Sequence, residues 1–375
     1  MQSQTVEHEA RSEAPVVGVL QRLECIVRHG GASGLRPWRV TKASMTNMDA
    51  TDLRLACARC MCVGFHGHHV DDALSDMLDR GAGGVILFAR NVQSREQVRE
   101  LCLDIKRRAR GLVYVGVDQE GGRVQRLVDG FTAIPPMRSV GRDGPAAAGR
   151  WGRAIARELR SVHIDLDFAP VVDVDSNPAN PVIGERSFGT DPGTVSACAV
   201  EFIQMMQLMG VGACAKHFPG HGDTNKDSHH DLPVLPHTME RLGLTELPPF
   251  AASIQAGVAS IMTAHVLFEA LDPGVPATLS HRVVQGMLRG ELGYDGVVFT
   301  DDLEMKAVAD RWPLGEAAVL ALGAGVDVAL VCHEHARQVE VHESLVRAAE
   351  SGALDPARVH EAARRVRRLM QRFVR

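Results

Sequence analysis

The chain has 375 residues, 45% of them apolar and 23% charged, with a formal net charge of −5. That length and composition support a substantial core in one large domain or two ordinary ones. The acidic balance excludes a general electrostatic attraction for nucleic acid, and no apolar run reaches the roughly 18 residues of a membrane-spanning helix.

The opening stretch MQSQTVEHEARSEAPVVGVL has no basic segment ahead of an apolar run and no clear cleavage site, so no secretory signal is expected. Residues 1–52 read as an irregular or disordered extension, with Gly30, Gly31, Gly34 and four arginines between positions 22 and 39. Eight cysteines (Cys25, Cys57, Cys60, Cys62, Cys102, Cys198, Cys214 and Cys332) are scattered, mostly among aliphatic neighbours. Such spacing suits reduced core thiols in a cytosolic protein better than a disulfide framework. Cys57-x-x-Cys60-x-Cys62 lacks a second pair at zinc spacing, so it reads as a buried strand.

From about residue 55 short aliphatic runs alternate with helix-like segments. The runs are CMCVGF (60–65), GVILF (84–88), LVYVGV (112–117), IDLDFAP (164–170), GACAKH (212–217), SIMTAH (260–265), GVVFT (296–300) and VDVALV (326–331). Amphipathic segments lie at 94–109, 145–162, 194–210, 246–257 and 314–325, and a last helix at 356–373 closes the chain. Eight strand–helix units predict a single (β/α)8 barrel over residues 53–375; an open doubly wound sheet is the rival. A barrel gathers its chemistry just after the strands, and here polar residues follow them: Asp118 to Arg123, Asp173, Lys216 onward, His265, and Asp301 with Asp302.

Asp301 follows an apolar strand directly, which would set its carboxylate at the barrel mouth, a costly place unless paired and therefore a functional one. Asp302 reads better as the cap of a helix starting near Leu303. In VDQEGGRVQRL, Asp118 and Glu120 stand beside Arg123 and Arg126, a combination that suits a polyol, because carboxylates accept from vicinal hydroxyls and guanidinium groups donate to them. A merely salt-bridged loop would look the same.

KHFPGHGDTNKDSHHDLP (216–233) holds four of the chain's 17 histidines. A metal would use His217, His221, Asp223 and His229 or His230, but Pro219 and Gly220 break any helix between His217 and His221. A phosphate cradle lacks its Walker pattern. Asp227, Ser228 and His229 sit too close together to form a hydrolase triad. An aspartate two positions before a histidine can instead set that imidazole's tautomer and basicity. His229 opposite a fixed carboxylate reads as an acid/base facing a nucleophile.

With these motifs in order (GGVILFARN, VDQEGGRVQRL, DFAPVVDV, IGERSFG, KHFPGHGDTNKDSH and FTDDLEM), residues 60–340 resemble glycoside hydrolase family three, specifically its single-domain bacterial beta-N-acetylglucosaminidases, the beta-hexosaminidases. The resemblance implies Asp301 as nucleophile, His229 as acid/base with Asp227 as its partner, and sugar contacts at Asp118, Arg126, Arg186, Lys216 and His217. It implies retaining removal of terminal beta-linked GlcNAc through a covalent glycosyl-enzyme, without metal or cofactor. Arg186 and Lys216, if the fold brings them close, would favour ionised Asp301, and Asp227 would favour protonated His229. A phosphorylase, another specificity, a substrate-assisted hexosaminidase using Asp301 with Asp302 or Asp302 with Glu304, and an inactive sugar-binding barrel remain as rivals. The implied biology is cytoplasmic recycling of cell-wall muropeptides by a monomer with no nucleic-acid or membrane partner. The larger members' second domain is not expected.

Overall fold

The structure, a computed structural model, describes residues 50–225, 227–228 and 231–375. Residues 1–49, with Cys25, lie outside them, as do Lys226, His229 and His230. The first described helix, Ala50–Arg59, starts inside the range read as an extension.

Each of the eight aliphatic runs forms a strand: β1 (Met61–Val63), β2 (Gly84–Leu87), β3 (Tyr114–Val117), β4 (Leu166–Asp167), β5 (Gly212–Phe218), β6 (Ser260–Thr263), β7 (Val297–Asp302) and β8 (Val328–Val331). All pair in parallel, neighbour to neighbour in chain order, and Met61 opposite Ala329 closes β8 onto β1. Closure leaves no edge, so the open-sheet rival is excluded and the protein is a (β/α)8 barrel. Both faces of such strands are buried, which is why the runs read as continuous apolar stretches and not as alternation.

The period of two sends alternate side chains inward, and the lumen is filled by Cys62, Ile86, Tyr114, Phe168, Phe299 and Leu330 among others. Phe299 stands edge-on to Tyr114 (6.0 Å) and to Phe168 (5.3 Å). Gly84 makes room for the Tyr114 ring, since a Cβ there would lie 2.0 Å from it. Phe373, Met370, Leu369 and Val366 of the final helix, Pro356–Phe373, join this inner core. Phe299→Ala is expected to cost about 3–5 kcal/mol, read as a lower denaturation midpoint, because closed strands cannot collapse onto the void. Burial pushes the Cys62 and Cys214 thiols up to about 12, so they behave as apolar filling.

The outer helices fit their sequence signals. The segment expected at 194–210 runs Pro192–Leu208, because the Asp191 carboxylate accepts from Thr194 N–H and Pro192 opens the first turn. Helices Asp72–Arg80 and His335–Ser351, and a π-helix over Arg282–Glu291, were not expected.

Candidate active site

The strand ends surround a cavity of about 470 Å³ on the C-terminal face of the barrel. Asp118, Arg126, Arg186, Lys216, His217 and Asp301 all line it, so six of the eight expected residues share one cavity. Asp227 is described and its carbonyl accepts from Asp231 N–H, but it is not part of the lining, and His229 lies outside the described residues.

One side is a buried charge cluster. Lys216, at the end of β5, places Nζ 2.6 Å from Asp118 Oδ1 and 2.6 Å from Glu120 Oε1. Arg186 grips Glu120 with two donors, Nε at 2.7 Å and Nη2 at 2.8 Å, and gives Nη1 to the Val182 carbonyl. Burial opposes ionisation of Glu120, but Arg186 and Lys216 outweigh it and hold its carboxyl well below the usual range. Burial likewise opposes charge on Lys216, yet Asp118 and Glu120 raise its pKa. Sequence reasoning put Asp118 and Glu120 side by side as hydroxyl acceptors; the structure separates them. Glu120 is closed off by its two cations, while Asp118 is 15% exposed and turns Oδ2 toward Arg126, 4.0 Å away. The donors expected beside them also diverge: Arg123 donates to the Val182 carbonyl, and Arg126 lies over the Phe88 ring at the cavity wall. Asp118, Lys216 and Arg126 together present an acceptor and two cationic donors, the kinds of group that can bond vicinal hydroxyls.

Beneath this cluster lies Asp167, which the sequence reading passed over. Burial pushes its carboxyl up to about 8, and one oxygen accepts from Gln119 N–H at 2.9 Å.

The next side is set by Asp173, which the sequence marked at the end of strand four without a role. It accepts from the His217 ring Nδ1 at 2.7 Å, from His217 N–H, and from His221 N–H at 2.7 Å. That fixes the His217 tautomer: Nδ1 donates to the carboxylate and Nε2 is left for the cavity. His221 sits between the hydroxyls of Thr224 (2.7 Å) and Ser228 (3.2 Å), and burial followed by the nearby His217 pushes its pKa down to about 4. His221 therefore anchors the loop as a neutral ring. Ala307 N–H donates to the Ser228 carbonyl at 3.3 Å and ties this loop to the one after β7. Asp223, a weighed metal ligand, pairs instead with His237 (2.9 Å) and Arg241 (3.4 Å). Among the described residues no group of three or more His, Cys, Asp or Glu side chains could hold a metal ion.

The third side is the end of β7. Asp301 lines the cavity and its Oδ1 accepts from Asp302 N–H at 2.8 Å. No helix begins at Leu303, so the expected cap role of Asp302 is corrected. Its Oδ1 accepts from Glu304 N–H in a turn, and its Oδ2 lies 3.2 Å from His333 Nε2. That hydrogen bond raises the His333 pKa. Glu304 accepts from His333 N–H at 2.6 Å. No local signal marks His333, because it reaches Asp302 from the loop after β8.

A closed parallel barrel sets an acid–cation cluster after strands three and five and a carboxylate on strand seven around one cavity, the face on which such barrels carry their chemistry. The chain belongs to glycosyl hydrolase family 3: residues 50–369 match the "Glycosyl hydrolase family 3 N terminal domain", and this makes it a glycoside hydrolase. It is 42% identical over 270 residues to a Thiobacillus denitrificans protein named Beta-hexosaminidase, covering 70% of this chain and 75% of that one. A Stenotrophomonas maltophilia protein of the same name is 38% identical over 302 residues, covering 78% and 89%. The solved beta-N-acetylglucosaminidase of Paenibacillus sp. superposes with a TM-score of 0.84 at 42% identity, covering 85% of this chain and 62% of that longer one. The Beutenbergia cavernae beta-N-acetylhexosaminidase superposes at 0.80 with 31% identity, covering 85% and 98%.

Proposed function

We propose that this glycoside hydrolase is a retaining exo-beta-N-acetylglucosaminidase in which Asp301 is the nucleophile. The observation that carries it is the placement of Asp301 on the same cavity as Asp118, Arg126, Lys216 and His217. The relatives' names, Beta-hexosaminidase and beta-N-acetylglucosaminidase, support the beta-N-acetylhexosaminidase type.

In this reading Asp118 and Lys216 hold sugar hydroxyls, with Arg126, Arg186 and His217 lining the same pocket. Asp301 attacks the anomeric carbon as the bond to the leaving oxygen breaks, and that oxygen takes its proton from His229, the acid/base of the family motif, oriented by Asp227. Water then releases the sugar from Asp301, giving its proton to His229. The substrate proposed is GlcNAc-bearing peptidoglycan muropeptide, released during cell-wall recycling in the cytoplasm. No described helix is long and apolar enough to cross a membrane.

The test is trapping with a fluorinated N-acetylglucosaminyl donor carrying an activated leaving group. The expected result is a glycosyl mass increment on the peptide containing Asp301, with aryl N-acetylglucosaminides cleaved and aryl glucosides spared. A competent enzyme with no adduct would favour the substrate-assisted route. In parallel, His229→Ala is expected to lose about 10²–10⁴-fold on poor leaving groups and far less on activated ones. Uniform loss across leaving groups removes the acid role.

A further inference from the structure

The last residue of SIMTAH, His265, is fully buried between the ends of β6 and β7. A buried imidazole is costly unless both ring nitrogens are used. Here they are. Nε2 lies 3.0 Å from the Asp302 carbonyl, and Nδ1 lies 2.8 Å from the Thr278 hydroxyl. A carbonyl only accepts, so Nε2 carries the proton, while Nδ1 faces the Thr278 hydroxyl, which donates to the Ala264 carbonyl at 2.9 Å.

Why the Asp302 carbonyl needs this partner follows from the ladders. Along β7, Phe299 pairs with Val328 and Asp302 with Leu330, so three steps on β7 match two on β8: a bulge carrying one extra residue at Thr300–Asp301. A bulge re-aims a side chain and removes regular ladder bonds. On the β8 side the Thr300 hydroxyl replaces one, accepting from Leu330 N–H at 2.9 Å. On the β6 side pairing stops at Phe299, opposite Met262. His265 supplies the missing donor one residue beyond Asp301. Thr278 is itself braced, with Thr263 Oγ1 donating to it at 3.0 Å.

We propose that His265, held by Thr278, is a positioning residue that fixes the bulged end of β7 and so aims Asp301 at the anomeric carbon. The inference rests on the reading of Asp301 as nucleophile. Burial lowers the His265 pKa, and Asp301 is the leading charge that opposes this. A neutral ring here holds the strand without setting a cation beside the attacking carboxylate.

The test compares His265→Leu, His265→Gln and Thr278→Val. Its readouts are kcat/KM on an activated aryl N-acetylglucosaminide, the rate of covalent trapping, the inhibition constant of free GlcNAc, and Tm. His265→Leu is expected to lower kcat/KM and the trapping rate by about 10²-fold, the loss typical of reacting groups misplaced by about 1 Å. GlcNAc binding should hold within about threefold, a change worth well under one factor of ten. His265→Gln, whose amide N–H can reach the same carbonyl, should recover most of the loss. Thr278→Val, which removes the hydroxyl that links Nδ1 to the Ala264 carbonyl, should lose about tenfold. If His265→Leu does not fold, the glutamine and valine variants carry the comparison. Folded variants that trap at the wild-type rate, a glutamine variant no better than leucine, or losses matched by weaker GlcNAc binding each overturn the proposal. Failure of the wild type to label on Asp301 removes the nucleophile reading and this inference with it. Labelling on Asp301 with unaffected variants removes this inference alone.

Discussion

Asp301→Ala is expected to lower kcat on aryl N-acetylglucosaminides by at least about 10⁴-fold, the scale seen when a covalent nucleophile is removed, with little change in Tm. Stability should hold because the side chain lines an open cavity, so its truncation leaves no sealed void. Asp301→Asn separates attack from shape: its amide oxygen can still accept from Asp302 N–H, yet it cannot displace the leaving group. Both variants should therefore be equally inactive. Azide adds a directional check. In the alanine variant it can enter the vacated space and form the bond to the anomeric carbon that the carboxylate would have formed. The product should then be a glycosyl azide of inverted configuration, made fastest from donors that need no protonation. An azide product of retained configuration, or an alanine variant within tenfold of wild type, would place the nucleophile elsewhere.

How far this site was legible in the sequence depended on whether a residue's partner lay within its own strand and loop. Asp301 announced itself because a carboxylate directly after an apolar barrel strand has few structural excuses. Lys216 and His217 were singled out as sugar contacts only through the family resemblance. Glu120 did not announce itself: its neighbours in sequence, Arg123 and Arg126, suggested a loop partner, but its real partners arrive from Arg186 and from Lys216 on β5. His265 is the same case, a polar residue after a strand whose use depends on a bulge in the next strand, and no period in the sequence encodes a bulge. The strands were legible since both of their faces are buried. The helix Asp72–Arg80 was lost because it is short, although Leu74, Met77 and Leu78 keep helical spacing and Asp71 accepting from Leu74 N–H was an available start signal.

Glu120→Ala is expected to be the most destabilising single change in the site, at about 3–5 kcal/mol, because it strands two buried cations. Arg186 loses both donors' acceptor, and Lys216 keeps only Asp118. Glu120→Gln should cost less and expose the electrostatic part. In the folded state the Glu120 carboxyl titrates well below its unfolded value. Its stabilisation is therefore fully present above the unfolded pKa of about 4.3 and drains away as pH falls through the folded one. The stability difference between wild type and Glu120→Gln should be flat from about pH 5 upward and shrink below that. Lys216 works in the opposite sense. Its raised pKa gives stability that is complete below the unfolded value of about 10.4 and is lost as pH rises through the folded one. Denaturation midpoints measured across pH for the wild type, Glu120→Gln and Lys216→Met separate the two limbs, and an acid limb unchanged by Glu120→Gln would show that Glu120 is not the ionised hub. Activity should fall along with stability, since the ammonium that Glu120 holds is the one that Asp118 shares at the wall of the same cavity as Asp301.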